Sequence, residues 1–196
     1  MRHNPALTLS TLALTATFAL SACSGDSTVT EDPGAETQAE TSDTFNDADV
    51  EFATGMIPHH QQALEMSEMA LAQGGPEVVD LAEQIEAAQD PEIETMTGWL
   101  QDWGVEAPTG MEGMDDMGDM GMMDADDMQE MMGAEGSEFD TVWLEMMIEH
   151  HEGAIAMSQV EQTEGANPEA VDLAATIIEA QQAEIIEMEK MLESDQ

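Results

Sequence analysis

The stretch Gly55-Met56-Ile57-Pro58-His59-His60-Gln61-Gln62-Ala63 returns later in the chain as Met146-Met147-Ile148-Glu149-His150-His151-Glu152-Gly153-Ala154. Around it, Asp49, Phe52, Met66 and Ser67 match Asp140, Trp143, Met157 and Ser158 at the same offset of 91 residues. A Gly-containing loop then differs by one residue. Beyond it Pro76, Asp80, Leu81, Ile85, Gln89, Glu92 and Met96 match Pro168, Asp172, Leu173, Ile177, Gln181, Glu184 and Met188 at an offset of 92. The chain therefore carries two copies of one unit.

Each copy reads as a helical hairpin. Phe52, Met56, Ala63, Met66 and Ala70 recur at three- and four-residue spacing and make one apolar stripe. Gly74-Gly75-Pro76 stops that helix and starts the next, with proline in its first turn. The second helix places Leu81, Ile85, Ala88, Met96, Leu100 and Trp103 on one side and ends at Gly104. The later copy repeats the plan from Phe139 to about Ser194, with Gly165 to Pro168 as its turn. One hairpin cannot cover both of its stripes, so the expected fold is all-α: a four-helix bundle of two repeated hairpins related by a pseudo-twofold axis. Strand signals are absent. Pro58 and Pro91 each remove a backbone donor inside a helix and predict local kinks.

The flanks say where the protein works. Residues 1–22 have the charged start, short apolar run and small-residue end of a secretory signal, and the run is too short to span a bilayer. Leu20-Ser21-Ala22-Cys23 resembles the bacterial lipobox, which implies cleavage before Cys23 and lipid on that cysteine. Cys23 is the sole cysteine, so no internal disulfide is available. Residues 23–44 carry almost no large apolar side chains and read as a disordered spacer. The domain occupies 45–196, with a first hairpin over 45–103, a Met/Asp/Gly-rich connection over 104–136 and a second hairpin over 137–196. The expected setting is extracytoplasmic, on the cell-surface or periplasmic side, with the membrane met only through the lipid. With 44 Asp and Glu against 2 Lys and Arg, the net charge of −42 repels nucleic acid and attracts cations. The same charge also serves solubility alone.

Four of the five histidines form the two duplicated pairs, His59-His60 and His150-His151. Adjacent helical residues lie about 100° apart, so each pair straddles its stripe. Met56 and Met147 precede their pairs by three and four residues, on the same face. If the first helices of the two copies meet, imidazoles and thioethers converge on a metal ion. Imidazole takes copper, zinc, iron or nickel, whereas thioether selects soft ions, so the mixture favours copper, Cu(I) above all, without excluding another divalent metal. Such a site is expected to weaken as pH falls through the imidazole range near 6.5. The alternative is structural: one histidine of each pair fills a polar slot in the core and the other faces solvent.

The connection adds a second set. Met111, Met114, Met117, Met120 and Met123 keep a three-residue spacing among aspartates, so that successive thioethers can close on one soft ion. Apolar filler and sacrificial oxidation are the competing roles for these residues.

The paired His-His signatures, the Ala180-Gln181-Gln182-Ala183-Glu184-Ile185 stretch and Trp99-Leu100 together resemble the DUF305 family of exported bacterial proteins, over nearly everything from Phe45 onward. That resemblance implies a ferritin-like helical bundle and, for Met-rich members, a likeness to periplasmic copper-binding proteins. The Glu-x-x-His motif of di-iron bundles is missing, since Met56, Ile57, Met147 and Ile148 stand three residues before the histidines. The expectation is thus a lipid-anchored, non-enzymatic copper-sequestration or tolerance protein. Its rivals are a structural or interaction module with an acidic surface and a ferritin-like metalloenzyme with an unfamiliar ligand set.

Overall fold

Asn46 starts the first helix: its side chain accepts from the amides of Ala48 and Asp49, while Asp49 accepts the Asn46 amide in return. This capping box satisfies donors that the first turn leaves open. The computed structural model describes residues 44–109 and 120–194. Among them the chain is all-α, with helices α1 (Asp47–Gln73), α2 (Pro76–Asp102), α3 (Ala125–Gly133), α4 (Ser137–Glu164) and α5 (Pro168–Ser194), and no strand. Pro76 and Pro168 open α2 and α5, where a missing amide proton costs nothing. α1 and α2 run through Pro58 and Pro91 as single helices. Residues 1–43, with the signal and Cys23, and 110–119, with Met111, Met114 and Met117, lie outside the described residues.

α1 packs on α2, α4 on α5, and α1 on α4. Two apolar clusters show how the last pair runs. The N-terminal half of α1 (Phe52, Met56, Ile57) meets the C-terminal half of α4 (Ala154, Met157), with Met96, Leu100 and Ile177. The C-terminal half of α1 (Ala63, Met66, Ala70) meets the N-terminal half of α4 (Phe139, Trp143, Met147), with Leu81, Ile85 and Met188. α1 and α4 are therefore antiparallel, and their middles cross between the clusters.

Reciprocal acids lock the two hairpins. Asp49, at the start of α1, accepts from the amides of Ala166 and Asn167 in the α4–α5 turn. Its repeat mate Asp140, at the start of α4, accepts from Gly75 in the α1–α2 turn at 2.7 Å. Each hairpin thus caps the turn of the other.

The stripe of α2 differs from the reading above. Ala88 is exposed and Gln89 is buried in its place, as is Gln181 in α5. The described part of the connection after residue 119 also carries more regular structure than its composition suggests. Asp124 caps α3 with a second capping box, and Met123 and Met131 fill the apolar cluster beside Trp143.

Candidate metal centre

The four imidazoles sit where α1 crosses α4, between the apolar clusters, and all four are fully buried. The alternative in which one member of each pair faces solvent does not match this burial: α2 and α5 cover the outer flank that an isolated α1–α4 pair would leave open. His59 and His150 face each other across the crossing, with ring centroids 3.7 Å apart and planes at 35°. His151 lies 6.5 Å from His150, centroid to centroid.

Their outer partners come from the second helix of each hairpin. His60 Nε2 is 2.7 Å from Glu92 Oε2, and His151 Nε2 is 2.6 Å from Glu184 Oε2. Sequence patterning does not single out these two glutamates as site residues, although the repeat matches them to each other. They are partly exposed, as acids on an outer helix face are, so periodicity alone places them with the many solvated acids of this chain.

The remaining ring nitrogens are left over. Nδ1 of His59, His60 and His151 has no hydrogen-bond partner among the described residues, and His150 forms no well-shaped hydrogen bond at either ring nitrogen. One such orphan is costly, about 1–3 kcal/mol, so a cluster of them marks a place built for something besides packing. Burial, and then the His60 ring, pushes His59 down to about 3; the Met120 carbonyl, which accepts from its Nε2 at 3.1 Å, opposes this only in part. His150 is held well below the ordinary range by burial and by His59 and His151. Both rings are therefore neutral and keep a lone pair far below pH 6.5, so the expected fall in metal affinity near that pH does not apply to them.

The methionines divide. Met56 and Met147 are fully buried on the flanks of the imidazole layer, but each packs in a different apolar cluster, so their thioethers do not meet. Met123 is buried filler in the cluster of Met147, whereas Met120 is exposed. Residues 120–123 lie against the layer itself. Gln62 donates to the Met123 carbonyl and accepts its amide, both at 2.8 Å. A Cβ on Gly153 would sit 1.7 Å from the Met120 carbonyl oxygen. Gln62 and Gly153 are the same position of the two copies, so one copy grips this strap and the other makes room for it. Among the described residues, no three His, Cys, Asp or Glu side chains form a ready-made metal cage. The donor set still fits a soft ion, which accepts few ligands and takes neutral imidazole and thioether.

A helical protein with duplicated hairpins and a buried histidine layer is the class that this fold and centre define. The chain belongs to the DUF305 family, described as a domain of unknown function, whose profile matches residues 49–192. No curated protein matches it. Among solved structures it is similar to a DUF305 protein of Streptomyces coelicolor, described as a candidate secreted protein, at 31% identity and TM-score 0.68, over 75% of this chain and 93% of that one. A DUF305 fragment from Deinococcus radiodurans matches at 28% and 0.70, over 76% and 97%. CopM in its Cu(II)-bound form matches at 34% and 0.65, over 76% and 97%, and CopM has also been solved with Cu(I) and with Ag.

Proposed function

We propose that this protein is an exported, non-enzymatic metal-binding protein that sequesters copper, with the four-histidine layer as its internal site. The cluster of buried imidazole nitrogens without partners carries this reading, and the copper- and silver-bound forms of CopM support it. His59, His60, His150 and His151 supply the imidazoles, and Met56 and Met147 lie one turn away. Met111, Met114 and Met117, with the exposed Met120, make a second, outer capture set for Cu(I), of which Met123 is no part. A bound soft ion would supply the positive charge that the layer lacks. The architecture we propose is a ferritin-like four-helix bundle in which α1–α2 and α4–α5 are related by a pseudo-twofold axis; the reciprocal Asp49 and Asp140 caps support it. Cleavage before Cys23 and lipid on its thiol would hold the domain outside the cytoplasm. No helix among the described residues is long and apolar enough to cross a membrane.

A structural reading has its own observation: His60 and His151 already pair with carboxylates and tie α1 to α2 and α4 to α5. Chelator-competed titration with Cu(I) and Ag(I) separates the two. Replacing Met111, Met114 and Met117 by Leu should lower Cu(I) stoichiometry and leave the far-ultraviolet spectrum unchanged. The substitutions stop short of Met123 and Met131, which belong to the core. Replacing His59 and His150 by Gln should abolish a separate, internal site. Unchanged binding in both variants would leave the histidines structural and the protein an interaction module.

A further inference from the structure

We infer that Glu92 and Glu184 are positioning residues that set the tautomers of His60 and His151, so that a soft metal ion entering the layer meets their Nδ1 atoms. An ionised carboxylate only accepts, so at 2.7 and 2.6 Å a neutral imidazole must present Nε2–H to it. The remaining lone pair is then on Nδ1, which in both rings is buried and has no partner among the described residues. His59 obeys the same logic, because the Met120 carbonyl also only accepts. Three rings thus give Nε2–H to an acceptor and leave a bare Nδ1. A metal-bound histidine commonly gives its other N–H to a carboxylate or carbonyl, which fixes its orientation and raises its basicity.

The duplication separates this arrangement from accident. The second hairpin has one more residue in its turn, so the His-to-Glu separation is 32 residues in one copy and 33 in the other. The contact persists across that change with nearly the same length and with 16% and 17% exposure of the two glutamates. Asp47, Asp49, Glu77, Asp80 and Glu92 are the acids of the first hairpin with an acidic counterpart in the second; of these pairs, only Glu92 and Glu184 reach an imidazole.

The inference rests on the metal reading for its second half only, and the test separates the halves. In the metal-free full chain labelled with 15N, long-range proton–nitrogen spectra at neutral pH should show His60 and His151 protonated at Nε2 and bare at Nδ1. Glu92→Leu and Glu184→Leu remove the acceptor and should release the tautomer of the ring in the same hairpin. Glu92→Gln and Glu184→Gln keep a carbonyl acceptor and should retain it. On adding Ag(I), the Nδ1 resonances should shift while Nε2–H persists, and the Leu variants should lose about 10–100-fold in Ag(I) affinity. A ring protonated at Nδ1 or at both nitrogens in the unsubstituted chain, Leu variants with unaltered tautomers, or Ag(I) coordination at Nε2 would each overturn the inference. Assigned tautomers with no Ag(I) response at either ring would instead overturn the metal reading beneath it.

Discussion

His59 and His150 are buried so deeply that protonation is held off well below the ordinary imidazole range. In the unfolded chain both rings titrate near 6.5, so below that pH the unfolded state binds protons that the folded state refuses. Their folded pKa values are depressed; the stability they permit is therefore complete above about pH 7 and drains as pH falls from 6.5 toward the value of about 3 for His59. Between pH 7 and pH 5 metal-free protein should accordingly lose urea resistance relative to a His59→Gln, His150→Gln variant by on the order of 1–3 kcal/mol, a difference in which every other titrating group cancels. Identical profiles for the two proteins would contradict the burial argument. Glu161 works in the opposite sense. Burial, then its hydrogen bond with Asp49, then the Asp49 charge push it up to about 8. Neither of its oxygens finds a donor when ionised, but protonated it donates to Asp49. For this raised acid, stability is complete below about pH 4.5 and is lost as pH climbs toward 8. Glu161→Gln, which can still donate, should flatten thermal stability between pH 6 and 8.5. A parallel decline in both proteins would remove Glu161 as its source.

At the level of elements, the strap of residues 120–123 ties the connection to α1 and α4 through contacts that leave little slack. Gly121 has φ +73°, a region that favours glycine, and a Cβ there would lie 2.4 Å from the Glu149 carbonyl oxygen. Gly153→Ala would drive its new methyl into Met120, whose backbone holds His59 in turn. Overpacking of this kind costs about 1–3 kcal/mol, and urea denaturation should register it. Hydrogen exchange should show why: the Met123 amide, now bonded to Gln62, should lose protection while amides in the middle of α2 and α5 keep theirs. Equal loss everywhere would mean that the strap is not a separable element. The hairpins were legible because Phe52, Met56, Ala63, Met66 and Ala70 advertise a helical period and Gly74-Gly75-Pro76 interrupts it. The exchange of Ala88 for Gln89 on the buried face was hidden, since periodicity assigns faces by hydropathy and a glutamine buried between helices is a tertiary fact. Glu92 and Glu184 were hidden for a related reason. Their partners are on another helix, 32 and 33 residues away, and retention in both copies, which four other acidic pairs share, narrows the choice without making it.

Across the whole molecule, one feature outweighs any single contact: 44 acids and a net charge of −42 on a chain of 196 residues. After loss of the proposed signal, Lys190 is the only Lys or Arg left, so the described domain holds almost no opposite charge to offset the repulsion. Self-repulsion on that scale favours the expanded chain, and salt weakens it because the screening length shrinks from about 30 Å at 0.01 M to about 3 Å at 1 M. The thermal midpoint at pH 7 should therefore rise by several degrees between 10 mM and 0.5 M salt, about 2–4 °C for each kcal/mol of repulsion removed. NaCl and KCl should act alike, because screening depends on charge and concentration. A difference between them would point to a selective alkali-ion site and not to the diffuse field. The same field gathers metal ions at the surface, so the salt series also sorts the proposed metal sites by depth. Capture by the proposed methionine set of the aspartate-rich connection should slow as salt rises, since its encounter rate draws on the long-range field. Equilibrium affinity at the imidazole layer should change less, because the rings are buried and bind through short-range donor bonds. Stopped-flow uptake of Ag(I), with nitrate salts to keep silver in solution, measures the first; competition at equilibrium measures the second. If both fall with salt in proportion, the layer is not a separate site, and the acidic surface alone accounts for the metal held.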